Sequence, residues 1–418
     1  MTTYHLNAPK KLDTTIKLPA SKSISNRALI IKALAGNGIN LQNISDCDDT
    51  DVIIQALSQM PEVIDIKAAG TAMRFMTAFL CATESGTHIL TGTERMQHRP
   101  IKPLVDALRY IGADIEYVGE EGFPPLRIKG KKLRGGPLEA VGNISSQYIS
   151  ALLLIGPVLE EGLEIRLLGD ITSRPYIDLT LWVMREFGAD ADWTSADTIT
   201  VAPKPYHRDT PYYIESDWSA ASYWYEMIAL TAQPDAQVKL EGLMDGSKQG
   251  DSSVRYIFSL LGVRTIFKSK VPGKPTTVTV KKNGHRVTKL KYDFTGQPDL
   301  TQTFIVCCCM MGIPFHFTGL KTLKIKETDR IEAMKNEMRK LGFVLYDHNG
   351  QELSWDGERC EEASSQAIDT YDDHRIAMSF APVAFKHPVA INDPEVVSKS
   401  YPHFWNNLTE AGYTIQTL

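Results

Sequence analysis

Leu108–Tyr117, LRYIGADIEY, reads as the end of an amphipathic helix, a glycine, and a short strand of alternating apolar residues. A glycine just past the last helical turn is a common C-cap, because a residue without Cβ takes the left-handed conformation there without a clash. One such segment says little. The same pattern recurs at Met184–Trp193, Phe258–Phe267, Met338–Tyr346 and Leu408–Ile415, with Gly112, Gly188, Gly262, Gly342 and Gly412 as pivots. Successive pivots lie 76, 74, 80 and 70 residues apart, steady enough to predict a repeated structural unit. Upstream, Asp49–Met60 followed by Val63–Ile66 reads as a shortened first member, with Pro61 near its end.

A second helix class, opening with small or polar residues before an apolar run, recurs six times: Ser21–Leu34, Gly70–Cys81, Ser145–Leu154, Asp217–Leu230, Asp299–Met311 and Asp372–Ala384. Each unit then reads strand, helix, strands, helix, strand. Polar or charged residues precede the second helix of every unit, at Asp46–Asp51, Arg95–Arg99, Ser173–Arg174, Ser247–Asp251, Lys326–Arg330 and Ser398–Lys399. Helix starts that converge would offer backbone N–H groups to an anion, although polar caps are common anywhere. Six units divide as three plus three, with Thr210–Asp217 as one crossover and Leu18-Pro19-Ala20 as the other. The expected domains are therefore 20–214, and 1–19 with 215–418, joined by a hinge that closes over a cleft.

At 418 residues the chain exceeds one ordinary core, against roughly 150 residues per domain. A net charge of −5 argues against a nucleic-acid-coating protein and leaves room for a locally positive cleft. The six cysteines have no paired CxxC spacing, and Cys307, Cys308 and Cys309 sit in the apolar run Phe304–Met311, where consecutive side chains diverge too far to share a metal. Buried reduced thiols are expected. Met1–Lys17 lacks a signal-peptide design, and no apolar run approaches the roughly 20 residues of a membrane span, so a soluble cytosolic protein is expected.

Lys326-Glu327-Thr328-Asp329-Arg330 packs two cations, two carboxylates and a hydroxyl into five residues. Arg330 directly precedes the apolar-periodic run Ile331, Met334, Met338, Leu341, so it falls at a helix start, where the dipole disfavours a cation unless an anion is bound. The group reads either as a site for an acidic substrate, with Glu327 as acid or base, or as a solvated cap with Thr328 or Asp329 as N-cap. Ser21–Arg27, SKSISNR, sets Lys22 and Arg27 in the first turns of an apolar helix; the serines can cap, and Lys22 fits phosphate or carboxylate capture. Gly70-Thr71-Ala72-Met73-Arg74 opens with small residues that let a ligand approach the backbone amides. Ser145-Ser146-Gln147 offers neutral groups for a polyhydroxylated ligand or for capping. Asp372-Asp373-His374-Arg375 repeats the cationic helix start, and Lys399 follows an expected strand end at Val396-Val397-Ser398. Arg95, Arg330, Arg375 and Lys399 together would neutralise a substrate bearing phosphate and carboxylate. Asp299, heading an apolar helix, is either an N-cap or a base, and with Glu327 it forms the carboxylate pair that acid–base addition chemistry needs.

SKSISNRAL, AGTAMR, RMQHRP, SSQ, SRPYID, ESDWSAASYW, QPDLT, KETDR, YDDHRIAM and VSKSYP, in this order, make the chain similar end to end to the 5-enolpyruvylshikimate-3-phosphate synthases of the enolpyruvyl transferase family. The resemblance implies an α/β fold of two similar domains, each of three βαββαβ repeats, forming an inside-out α/β barrel with the active site in the interdomain cleft. It implies transfer of the enolpyruvyl group of phosphoenolpyruvate to the 5-hydroxyl of shikimate 3-phosphate through a tetrahedral ketal. Phosphate is released, no metal or organic cofactor is needed, and the reaction is the sixth step of the shikimate pathway toward chorismate. By motif, Lys22, Ser23, Arg27, Ser145, Ser146, Gln147, Ser173, Asp299, Thr322 and Lys326 would hold shikimate 3-phosphate. Lys22, Gly70, Arg95, Gln147, Arg330, Arg375 and Lys399 would hold phosphoenolpyruvate. Asp299 would take the 5-hydroxyl proton, while Lys22 and Glu327 share protonation of the methylene and handling of the leaving phosphate. A cytoplasmic monomer with no nucleic-acid or membrane partner is expected, and Gly70 suggests room for the inhibitor glyphosate.

Two positions depart from the family pattern: Ala68-Ala69 stand where Asn-Ala is common, and Thr322 where an asparagine often contacts the shikimate phosphate. Both bear on affinity and leave the acid–base set untouched. UDP-N-acetylglucosamine enolpyruvyl transferase is the nearest alternative, but its asparagine after the first-helix lysine and its loop cysteine are replaced here by Ser23 and the RMQHRP loop. A non-catalytic repeat protein that binds phosphorylated metabolites is the other, which the presence of Asp299 and Glu327 disfavours.

Overall fold

All five pivot glycines adopt the left-handed conformation, with φ of 102°, 80°, 86°, 81° and 93° at Gly112, Gly188, Gly262, Gly342 and Gly412. After four of them the following residue bonds back across the helix end: Ala113 N to Leu108 O, Ala189 N to Met184 O, Phe343 N to Met338 O and Tyr413 N to Leu408 O, at 2.9–3.1 Å. In the shortened first member, helix Asp48–Gln59 ends on Met60 at φ 42°, a non-glycine residue held in the same turn. The computed structural model describes residues 2–417 except 37, 144, 272 and 364–366.

Four sheets share one topology. In each, the first two strands are parallel, a helix leads into the second, and the fourth strand pairs antiparallel between the second and the third. Val63–Asp65, Thr87–Thr91, Asp114–Tyr117 and Leu126–Lys129 form one such sheet, and Gly136–Val141, Leu163–Leu168, Ala191–Trp193 and Thr198–Val201 a second. Leu290–Asp293, Phe315–Thr318, Tyr346–His348 and Glu352–Trp355 form a third. In the fourth, the first strand comes from far upstream: Asp13–Lys17 runs parallel to Gln237–Met244, followed by Val263–Phe267 and Pro275–Lys282. The last repeat uses the same device, since Thr3–Asn7 lies antiparallel between Val389–Asn392 and Thr414–Thr417, and Ile368 bridges Ile391 in parallel. The first repeat is reduced to the parallel pair Leu41–Gln42 and Tyr212–Tyr213.

The chain divides into two compact units, Ala20–Ile214, and Met1–Pro19 with Glu215–Leu418. Each has its own apolar core. Helices that are apolar all round belong in a core, and the second helix class is buried accordingly. Lys22–Leu34, Gly70–Ala82 and Ser146–Ile155 pack on one another in one unit; in the other, Thr301–Met311 packs on Trp218–Leu230 and on His374–Phe380. Strands flank them with one face inward, as in Leu163–Leu168, where burial alternates residue by residue. Within each unit the helix starts that carry the candidate residues are thus set in a packed interior. No described helix is long and apolar enough to cross a membrane.

Candidate active site

In the Glu215–Leu418 unit the charged residues gather around Arg330. Asp329, not Thr328, caps helix Arg330–Lys340, its carboxylate accepting from Ile331 N and Glu332 N, which places Arg330 at the first helical position. Arg330 is 1% exposed at the positive end of a dipole, so its charge needs counter-ions. Asp373 accepts from Nε and Nη2 at 2.7 and 3.3 Å, Asp299 from Nη1 at 3.1 Å, and Glu327 from Nη2 at 3.0 Å. Arg375 Nη2 donates to the other oxygen of Asp299 at 2.8 Å, and Lys399 Nζ lies 3.3 Å from the other oxygen of Glu327. Fully buried Asp373 also caps helix His374–Phe380 by accepting from Arg375 N. One carboxylate therefore fixes both the Arg330 guanidinium and the start of the helix that bears Arg375.

Burial pushes the Asp299 carboxyl up, but Arg375, Lys326 and Arg330 outweigh it and hold the group well below the usual carboxylate range. Asp251, buried and within electrostatic reach of Asp299, behaves oppositely: burial first and the Asp299 charge second push it up to about 7, and it accepts a hydrogen bond from Ser219 Oγ. Thr322 lies in the 3-10 helix Lys321–Ile325 and Lys326 directly after it, both half-buried.

One open alternative closes here and one local expectation fails. Asp299 is not an N-cap; it sits inside the 3-10 turn Pro298–Leu300 that feeds helix Thr301–Met311, with its side chain committed to two arginines. Val396-Val397-Ser398 is not a strand end but part of the 3-10 helix Pro394–Lys399. Left-handed Asp393 turns the chain and Pro394 pre-sets a helical φ, overriding the β-branched pair.

In the Ala20–Ile214 unit, Ser21 caps helix Lys22–Leu34, and Lys22 Nζ pairs with Asp49 Oδ2 at 3.0 Å. Arg27, one turn on, is 3% exposed and spends its donors on neutral oxygens: Thr180 Oγ1, the Ser23 carbonyl, Ser150 Oγ and the Tyr176 carbonyl. Burial lowers its pKa to about 10. Gly70 opens helix Gly70–Ala82, and Ala69 before it brings no side chain that caps. Gln147 Nε2 donates to Thr71 Oγ1 at 3.2 Å, tying the third buried helix to the start of the second. Ser145 caps that third helix by accepting from Gln147 N, and Ser146 is buried. Ser173, left-handed at φ 54° and buried, heads helix Arg174–Glu186. Arg95 does not lie in a loop; it falls within the short helix Glu94–Gln97 and is exposed.

Sequence reasoning missed Asp373 and Asp49 as members of these clusters. Asp373 had a readable signal, standing two residues before Arg375 at a helix start, where an aspartate caps. Asp49 lies in the acidic run Asp46–Asp51, in which no local feature selects one residue as the partner of Lys22.

The model of the family described as EPSP synthase (3-phosphoshikimate 1-carboxyvinyltransferase) matches residues 6–65 and 59–408. The 3-phosphoshikimate 1-carboxyvinyltransferase of Bacteroides fragilis (strain YCH46) is 57% identical over 414 residues, 99% of this chain and 98% of that protein. Its counterpart in Aliivibrio fischeri (strain MJ11) is 35% identical over 438 residues, 98% of this chain and 99% of that protein. Among solved structures, EPSP synthase from Acinetobacter baumannii superposes with a TM-score of 0.77 at 21% identity, covering 100% of both chains. The enolpyruvyl transferase NikO from Streptomyces tendae gives 0.72 at 14% identity, over 100% of this chain and 99% of that one. The two superpositions show the enolpyruvyl transferase fold.

Proposed function

This chain belongs to the EPSP synthase (3-phosphoshikimate 1-carboxyvinyltransferase) family, and from that membership we propose which of its residues transfer the enolpyruvyl group of phosphoenolpyruvate to the 5-hydroxyl of shikimate 3-phosphate. The observation that carries the assignment is the lattice in which Asp299 and Glu327 share Arg330. Two carboxylates suited to proton transfer are held beside the cations that two anionic substrates require.

Asp299, ionised under its cations, takes the proton of the 5-hydroxyl as that oxygen attacks C2 of phosphoenolpyruvate. The C3 methylene gains a proton from Glu327 or Lys22, giving the tetrahedral ketal; loss of a C3 proton and of phosphate then forms the enol ether. Arg330 and Arg375 bind the phosphoenolpyruvate carboxylate. As they engage it, their pull on Asp299 weakens and its basicity rises, so base strength follows substrate binding. Lys22, Gly70, Arg95, Gln147 and Lys399 complete the phosphoenolpyruvate set. Shikimate 3-phosphate is held by Lys22, Ser23, Arg27, Ser145, Ser146, Gln147, Ser173, Asp299, Thr322 and Lys326. The lining of hydroxyls and amides suits its ring oxygens, and the cations suit its phosphate and carboxylate.

The test is phosphate release by purified protein supplied with both substrates. Release that requires shikimate 3-phosphate supports the reading; release with UDP-N-acetylglucosamine in its place overturns the acceptor. We also propose a monomer that glyphosate inhibits, which unchanged phosphate release at high glyphosate would refute.

A further inference from the structure

Asp373 fixes the Arg330 guanidinium and the helix start that bears Arg375, and a turn fixes Asp373. Asp373 N donates to the Thr370 carbonyl at 2.8 Å, closing a four-residue turn whose central residues, Tyr371 and Asp372, both have φ of 54°. Positive φ at both central positions is the pattern of a type I′ turn, which glycine, asparagine and aspartate adopt at least cost. The hairpin at 348–351 is built that way: Gln351 N donates to His348 O at 3.3 Å around Asn349 and Gly350, with φ of 57° and 67°. A tyrosine in the first central position meets the Cβ clash that those residues largely avoid. Among the described residues, Tyr371 and Asp372 are the only adjacent pair of non-glycine residues with positive φ.

The Tyr371 hydroxyl gives a reason for the residue. It donates to Glu337 Oε1 at 2.7 Å. Glu337 is fully buried and stands two helical turns after Arg330 on helix Arg330–Lys340, so both project from one face. Its other oxygen accepts from Asp369 N at 3.0 Å and lies 2.7 Å from Lys340 Nζ, which also pairs with the Asp369 carboxylate at 2.8 Å. Segment 369–373 is therefore fastened to this helix at two points: at Glu337 through Asp369 and Tyr371, and at Arg330 through Asp373. The strained turn lies between them. Asp372 is exposed, and its side chain has no hydrogen bond or ion pair among the described residues.

We propose that Tyr371 is a positioning residue: its bond to Glu337 holds the strained turn that sets Asp373, and through it Arg330 and Arg375, in place for the phosphoenolpyruvate carboxylate. This rests on the proposed enolpyruvyl transfer, in which both arginines bind that carboxylate. It is tested by measuring phosphate release for the wild type, Tyr371→Phe, Asp372→Gly and the double variant, each with its melting temperature. Tyr371→Phe removes only the hydroxyl. It should raise KM for phosphoenolpyruvate at least about threefold, the scale on which a residue acts through a neighbour, and change KM for shikimate 3-phosphate less than about twofold. Asp372→Gly relaxes the turn and should not lower the melting temperature. In the double variant glycine favours the turn without the Glu337 bond, so KM for phosphoenolpyruvate should return to within about twofold of the wild type. A merely structural loss would move both KM values together and would not be rescued by glycine. With an active wild type, a rise below threefold in Tyr371→Phe, equal rises for both substrates, a lower melting temperature in Asp372→Gly, or no rescue in the double variant would overturn the role of Tyr371 and leave the transferase reading intact. An inactive wild type would overturn that reading first. If Tyr371→Phe does not fold, Glu337→Gln decides, since its amide oxygen is a weaker acceptor: a rise of at least about twofold in the same KM supports the proposal and a smaller one overturns it.

Discussion

The two units solve the same electrostatic problem differently. Around Arg330, three carboxylates and three cations bond into one lattice, so each charge lies against a counter-charge. In the other unit Lys22 pairs with Asp49, whereas Arg27 donates to hydroxyls and carbonyls and lies over the Phe75 ring, and Arg99 lies against a glycine. The same repeat architecture therefore carries a charge-compensated surface in one unit and a surface of neutral oxygens with sparsely paired cations in the other. On the proposed assignment the first brings Asp299 and Glu327 to proton transfer, with Lys22 of the second as the other source of the C3 proton, and the second brings most of the oxygen-binding groups.

Removing a carboxylate from the lattice should be most severe at Asp373. Asp373→Asn keeps an oxygen to cap the helix but leaves Arg330 without its bidentate counter-charge in a fully buried position, and should cost about 4 kcal/mol by urea denaturation. A loss below about 1 kcal/mol would mean that the lattice is not cooperative. Glu327→Gln keeps the shape and changes the chemistry; kcat should fall about 100-fold or more with KM for both substrates nearly unchanged. A rise in KM alone would reduce Glu327 to a binding group and remove the contrast in proton transfer.

A carboxyl outside the lattice sharpens the comparison. Glu226 is fully buried, neither oxygen has a hydrogen-bond partner among the described residues, and burial raises its pKa well above 4.5. Above pH 4.5 the unfolded chain releases this proton while the folded chain retains it, so stability falls as pH rises, by up to about 1.4 kcal/mol per pH unit. Glu226→Gln should flatten that slope when urea midpoints are followed from pH 5 to 8, and identical slopes would contradict it. The smallest effect is expected in the other unit. Asp49→Asn takes a counter-charge from Lys22, whose side chain keeps 15% exposure, and should cost about 1–2 kcal/mol of stability, well below Asp373→Asn. A loss comparable to that of Asp373→Asn would erase the distinction between the units.

What was legible in the sequence follows from how local each constraint is. Gly112 and its equivalents could be read because a left-handed helix end has one sterically cheap residue, and Met60 in the same role could not. Arg330 and Arg375 were legible as cations at helix starts, where the dipole makes them anomalous. Their counter-ions were less so, because Asp299, Asp373 and Arg330 are brought together by packing between elements far apart in the chain. The pairing of Thr3–Asn7 and Asp13–Lys17 with strands more than two hundred residues away has no local signature either. At Val396–Ser398 strand propensity was real and lost to Asp393 and Pro394.

The central claim, proton transfer through an addition–elimination cycle, is tested most directly by running the reaction in deuterium oxide and measuring isotope in the vinyl group of the product by mass spectrometry. Addition delivers a solvent deuteron to C3, and elimination removes one of three hydrogens from the resulting methyl group, so the wild-type product should carry vinyl deuterium, with incorporation lost together with turnover in Glu327→Gln. Wild-type turnover that yields product without vinyl deuterium would contradict the mechanism.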